Sequence, residues 1–180
     1  RQRALRTLGN QQSPFDAWQT IQGLETLPLR MARHCENARE VAAFLREHED
    51  VAWVSYPGFE DHPTHENARR YLGSDDHDDK EFGGMLTFGL ADGFAAAKRT
   101  CEETELASFL ANIGDAKTLI IHPASTTHAQ LSEEEQRAAG LSPEMLRLSV
   151  GIEDAEDVIA DLDRAISAAS RDSPAAGNTG

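Results

Sequence analysis

Lysine is the first thing this chain lacks. Lys80, Lys98 and Lys117 stand alone against 14 arginines. Cysteine is as scarce: Cys35 and Cys101 cannot build a disulfide framework and lack zinc-ligand spacing. They read as reduced thiols of a cytosolic protein, or simply as small buried residues. No stretch approaches ~20 uninterrupted apolar residues, which excludes a membrane-spanning helix. No apolar segment of signal-peptide type follows Arg1, so no secretory leader is expected, and a missing upstream part is. Gly-x-Ser-x-Gly, Cys-x-x-Cys and phosphate-loop patterns do not occur, and neither does an internal repeat.

What the chain has is acid. With 31 Asp+Glu against 17 Lys+Arg, the formal charge is −14. Such a surface repels phosphates, so nucleic acid is not an expected partner. An acid-rich, lysine-poor surface suits high salt, where counterions screen self-repulsion; the plainer reading is an ordinary acidic cytosolic protein. A length of 180 residues suits one domain with appendages.

Local signals divide the chain. Ser13-Pro14 opens a helix as N-cap and N1 proline, carrying Trp18 and Ile21, and Gly23 ends it. Thr26 is expected to cap a longer helix through Glu47, on which Met31, Ala38, Val41, Ala42 and Leu45 recur at helical spacing. Residues 51–56 read as a strand stopped by Pro57-Gly58. A short helix over 66–72, a polar loop over 73–81 and a strand over 84–90 follow. A helix over 94–103, a short strand over 108–110 and an extended piece over 118–121 come next. Ser132 with Glu135 is a capping box for a helix ended by Gly140. Residues 145–150 form a strand with Arg147 and Ser149 on one face and Leu146, Leu148 and Val150 on the other. The last helix spans 154–169, and 170–180 is expected to be a disordered tail. The fold class is α/β in the loose sense, closer to α+β: two layers, a roughly four-stranded mixed or antiparallel sheet, helices mainly on one face.

Several clusters invite chemistry. His62 and His65 lie three apart, but a metal would need a third ligand such as His77, and a solvated loop fits better. The acidic run 75–79 lacks the glycine and closing glutamate of an EF-hand. Residues 112–128 are dense in small and polar groups, with Arg147 downstream. An arginine fork binds a carboxylate through two parallel bonds, so Arg147 is either a ligand-binding residue or half of a structural salt bridge.

The run from Asn112 through Thr127 to His128, with Leu131, Ser132, Glu135, Gly140 and residues 146–154, resembles the C-terminal domain of the Cys/Met-metabolism pyridoxal-phosphate enzymes. Ser13-Pro14-Phe15, residues 22–27, Leu29 to Met31, residues 33–38, Tyr56-Pro57-Gly58, and His62-Pro63 with His65 agree. The likeness covers residues 3–169. Asn112 at the head of its motif is most similar to O-acetylhomoserine sulfhydrylases; cystathionine γ-synthases, γ-lyases and methionine γ-lyases more often carry serine there.

The resemblance implies a parent enzyme that replaces the acetoxy group of O-acetylhomoserine by sulfide or a thiol, giving homocysteine or methionine. Pyridoxal phosphate would serve as electron sink. Arg147 matches the arginine that binds the substrate α-carboxylate, with Asn112 and Thr127 in support. The Schiff-base lysine and the other cofactor-binding groups of the family lie upstream. The chain is therefore expected to bind no cofactor and no metal alone and to carry no catalytic residue. Residues 1–26 would be a connecting helix remnant, 27–169 the substrate-side domain and 170–180 the tail. Expected partners are a small amino-acid substrate, the missing N-terminal cofactor domain and, in the parent, further copies (a homotetramer in the family); the expected location is cytoplasmic. The alternatives are a cystathionine γ-synthase/γ-lyase- or methionine γ-lyase-like member of the family, a stand-alone non-catalytic interaction domain, and an unrelated acidic binding module.

Overall fold

The structure is a computed structural model that describes residues 8–9, 11–72 and 81–171. Most of the polar loop over 73–81, including His77 and the acidic run, lies outside the described residues, as do residues 1–7, 10 and 172–180.

Six α-helices are complete among the described residues: α1 Pro14–Glu25, α2 Leu27–Glu47, α3 His65–Tyr71, α4 Gly93–Glu103, α5 Glu133–Ala138 and α6 Ala155–Arg171. Five strands are β1 Val51–Ser55, β2 Met85–Leu90, β3 Ser108–Phe109, β4 Leu119–Ile121 and β5 Met145–Ser149. They form one sheet in the order β1-β2-β5-β4-β3. Every pairing is antiparallel except β3 with β4. The sheet thus has five strands rather than four, because the extended piece over 118–121 is β4. All three β4 residues are buried, so the alternation that marks a half-exposed strand is missing there.

Side-chain alternation sorts the layers. Leu86, Phe88 and Leu90 of β2 and Leu146 and Leu148 of β5, with Val150 beyond its end, enter one core. They meet Val41 and Leu45 of α2, Ala96 and Cys101 of α4, and Val158, Leu162 and Ile166 of α6. Burying side chains of this size contributes roughly 1.5–3 kcal/mol each, so this layer holds the domain together. Arg147 and Ser149 point to the opposite face. In register beside Arg147 stand Thr87 of β2 and Ile121 of β4.

Helix ends follow their local chemistry. Ser13 caps α1 and Ser132 caps α5, each through a full capping box, with Asp16 and Glu135 respectively. Thr26 holds the N-cap place of α2 but makes no side-chain cap bond, because its backbone also closes α1. Gly140, at φ 80°, takes the left-handed conformation after α5. α6 runs two residues past its expected end and takes in Ser170 and Arg171.

Candidate functional site

The segment between β3 and β4 reaches the face of β5 that carries Arg147 and Ser149. Arg147 is half-buried, and its Nη2 donates to the Asn112 carbonyl at 3.4 Å. Ser149, two residues on, accepts the Gly114 N–H at 3.1 Å. Asn112 itself is exposed, and its Oδ1 accepts the next amide, Ile113 N–H, at 2.9 Å. Gly114 sits at φ 73°, where a side chain would strain the backbone.

The exit of β5 is held from two sides. Asn37 of α2 donates to the carbonyls of Gly151 and Glu153 at 3.1 and 2.7 Å, and His34 Nδ1 meets the Val150 carbonyl at 2.6 Å. From the other side the Thr118 N–H and hydroxyl bond the Glu153 carboxylate at 2.6 and 2.9 Å, while the Gly151 N–H donates to the Thr118 hydroxyl at 2.9 Å. A Cβ on Gly151 would run into Glu153 and the Ala116 carbonyl. The strand that carries Arg147 is therefore rigidly ended.

The turn after β4 is built around His122, which is fully buried. Its Nε2 lies 2.7 Å from the Pro143 carbonyl and its Nδ1 2.8 Å from the Ser125 hydroxyl. The carbonyl can only accept, so Nε2 carries the proton and Nδ1 accepts from Ser125. Burial pushes the imidazole below its ordinary pKa and keeps it neutral. Phe94 packs edge-on at 4.7 Å. His122 thus shapes the turn and has no lone pair left for catalysis. Thr127, three residues beyond Ala124, is exposed and bonds His128 Nδ1 at 2.8 Å. The structure brings Arg147 and Asn112 together; Thr127 points its hydroxyl to its neighbour instead.

Other clusters dissolve on inspection. His62 Nε2 lies 3.0 Å from the Ser55 hydroxyl, the outline of a Ser-His pair. Its Nδ1 accepts the Thr64 N–H at 3.2 Å, however, so Nε2 carries the proton and cannot act as a base towards Ser55. His65 is tied to the Pro57 carbonyl at 2.9 Å and stacks on Phe82. Both rings are half-buried and hydrogen-bonded within the protein, and no His/Cys/Asp/Glu group fit for a metal occurs among the described residues. A hollow of about 370 Å³ beside α2 is lined by Leu29, Arg33, Cys35 and Glu81. Burial pushes the Cys35 thiol up, which disfavours its thiolate. Burial likewise lifts Cys101 to about 12.

The described lysines do not fit the pyridoxal cofactor. Lys98 is exposed on α4 and pairs with Glu102 at 3.8 Å, and Lys117 is exposed in the segment before β4. Lys80 lies outside the described residues.

Sequence reasoning found Arg147 and Asn112 through motif likeness. It placed Ser149 on Arg147's face but gave it no partner, since Gly114 is 35 residues away in the chain. It also missed Asp161, which takes the amides of Glu105, Leu106 and Ala107 at 2.8–3.0 Å.

Comparison with known proteins gives the family. The profile of the family described as Cys/Met metabolism PLP-dependent enzyme matches residues 1–167. An O-acetyl-L-homoserine sulfhydrylase of Thermus thermophilus is 51% identical over 90% of this chain, which covers 37% of that protein. One of Leptospira meyeri is 48% identical over 92% of the chain, covering 36% of its length. An L-methionine gamma-lyase of Fusobacterium nucleatum is 44% identical over 85% of the chain, covering 37% of its length. A crystal structure from Campylobacter jejuni, described as an O-acetylhomoserine (thiol)-lyase with a pyridoxyl-lysine, superposes with TM-score 0.81 at 43% identity. It matches 92% of this chain and 39% of its own. The chain thus spans little more than a third of the relatives it matches.

Proposed function

The chain belongs to the Cys/Met-metabolism PLP-dependent enzymes, and on that premise we propose that it is the substrate-side portion of an O-acetylhomoserine sulfhydrylase-like enzyme. The reaction is γ-replacement: sulfide or a thiol takes the place of the acetoxy group, giving homocysteine or methionine. Pyridoxal phosphate supplies the electron sink in such chemistry. The lysines described here do not fit it, so the cofactor would be held by the remainder of a longer, cytoplasmic protein. This chain's share is recognition. The single feature that carries the reading is the Arg147 guanidinium on the sheet face opposite the hydrophobic core, beside the Asn112 carbonyl. A fork placed there is suited to a substrate α-carboxylate. Asn112 would border the same site, and Thr127 would join it only after its hydroxyl turns away from His128. The parent would act as a homo-oligomer. A γ-lyase activity is the second reading, because a methionine γ-lyase is 44% identical.

The test is Arg147→Lys in the complete enzyme. Lysine keeps the charge but loses the two-pronged geometry. Loss of a charge-assisted bond of ~1.5–3 kcal/mol should weaken substrate affinity roughly 10- to 100-fold while the fold survives. Unchanged affinity and turnover would refute the assignment.

A further inference from the structure

The geometry points to Ser149 as a positioning residue: we propose that its hydroxyl sets the aim of the Arg147 fork by fastening the Asn112–Gly114 turn to β5. The inference rests on the reading of Arg147 as the carboxylate binder.

A guanidinium at the end of a flexible stem needs a fixed neighbour, because arginine carries ~2 kcal/mol of rotamer entropy to be ordered. That neighbour is the Asn112 carbonyl. It belongs to a stretch, residues 110–114, in which every residue is exposed, so packing does not hold it. Among the described residues, two bonds tie the Asn112–Gly114 turn to the sheet: Arg147 to the Asn112 carbonyl, and the Gly114 N–H to Ser149. Only the second is independent of the arginine.

The spacing makes the two bonds a matched pair. Arg147 and Ser149 share a face of one strand, two residues or roughly 6.5 Å apart. Asn112 and Gly114 are also two residues apart, and the turn lies along the strand so that each meets its partner. The amide that Ser149 accepts is one peptide on from the carbonyl that Arg147 grips. Releasing it frees the orientation of that carbonyl. Ser149 is only 3% exposed, so its hydroxyl cannot exchange this partner for bulk solvent, whereas the turn above it can move. Gly114 at φ 73° allows the amide to point down at the strand, and a Cβ there would meet nothing within 4 Å, so the glycine serves the conformation and not the space.

The experiment is steady-state kinetics on the complete enzyme with Ser149→Ala and Ser149→Cys, alone and combined with Arg147→Lys. Alanine removes the acceptor; cysteine nearly keeps the volume but accepts weakly. Each single substitution should raise KM for the amino-acid substrate about three- to tenfold, the worth of one neutral hydrogen bond, with kcat within about twofold. On the Arg147→Lys background the further rise should be below about twofold, since the fork to be aimed is gone. A merely structural hydroxyl would lower the thermal midpoint or kcat and leave KM in place; that result, or effects that add fully to those of Arg147→Lys, overturns the assignment. Arg147→Lys raising KM while both Ser149 variants leave it unchanged sinks Ser149 alone. Arg147→Lys without effect on KM sinks the carboxylate reading and this inference with it.

Discussion

Asp161 shows how one side chain can organise a loop from a distance. Its carboxylate takes three successive amides, of Glu105, Leu106 and Ala107, and the Arg164 guanidinium at 2.6 Å. Burial by itself would raise its pKa, but the three amides and Arg164 outweigh that and hold it below the ordinary carboxylate range. The loop it holds leads straight into β3. Asp161→Asn would leave these donors facing one oxygen and an amide group that is itself a donor. It should cost about 2–3 kcal/mol in urea unfolding near pH 7. The pH dependence has a definite sign. A carboxyl whose folded pKa is depressed gives stability that is present above the unfolded pKa of ~3.9 and lost as pH falls through the folded value. The gap between parent and Asp161→Asn should therefore be constant from pH 7 to about 5 and shrink below about 4. A gap that stayed the same at pH 3 would show that Asp161 titrates alike in the folded and unfolded chain, so that its folded pKa is not depressed. Nothing in the sequence announces this contact, because an Asp on the buried side of an amphipathic helix looks like a flaw in the pattern until the amides opposite are known.

Helix α1 is locally complete and globally unfinished. Its N-cap serine and N1 proline were legible in the sequence, and the structure adds Asp16, which completes a capping box with Ser13. Yet no residue of α1 is buried, and Phe15, Trp18 and Ile21 are 63%, 56% and 53% exposed. A 12-residue helix is marginal without a packed face, whatever its cap. Large apolar side chains grouped on one helix usually mark a surface that another surface covers. The 180-residue chain should therefore self-associate through this stripe, and Trp18→Gln with Ile21→Gln should return it to monomer in light scattering. A monomeric parent chain whose residues 14–22 are fully protected against hydrogen exchange would contradict this. The contrast with the sheet explains what could be read in advance. The α5 capping box, the β2 and β5 runs and the α6 stripe are short-range or periodic signals, and the structure has them. β4 lacks any alternation, and β3 is two residues long. The strand order places β5 between β2 and β4, and pairing across such distances leaves no local mark. Arg147 was legible as a candidate because its strand alternates cleanly; its grip on Asn112, 35 residues away, was suggested by family likeness and not by pattern.

At the scale of the whole molecule the dominant fact is a charge of −14 on 180 residues. Local pairs do not remove it. Arg33–Glu36, Arg46–Asp61, Lys98–Glu102, Arg99–Glu103 and Arg137–Glu133 use arginines and lysines in exposed contacts. Such pairs contribute about 0–1 kcal/mol each and weaken in salt. The unpaired excess of carboxylates repels over longer range, and folding concentrates it: a compact chain of this length has a radius of gyration of roughly 16 Å, well below that of its unfolded ensemble. At 10 mM salt the Debye length is about 30 Å, so every charge on the folded molecule senses every other; at 150 mM it is about 8 Å, and only neighbours interact. The repulsion therefore fades first and most in this range, while losses from the exposed pairs are small. The thermal midpoint should rise from 10 to 150 mM NaCl and gain little more by 0.5 M if screening is the whole effect. Sodium sulfate at matched ionic strength should give the same curve up to that point and exceed chloride only at higher concentration, where its exclusion from the surface strengthens apolar burial. A midpoint that keeps climbing in chloride between 1 and 3 M would mark adaptation to high salt, and a plateau would mark an ordinary acidic protein. A midpoint that is flat or falls from 10 to 150 mM would mean that the attractive pairs, and not the net charge, govern the electrostatics of the fold.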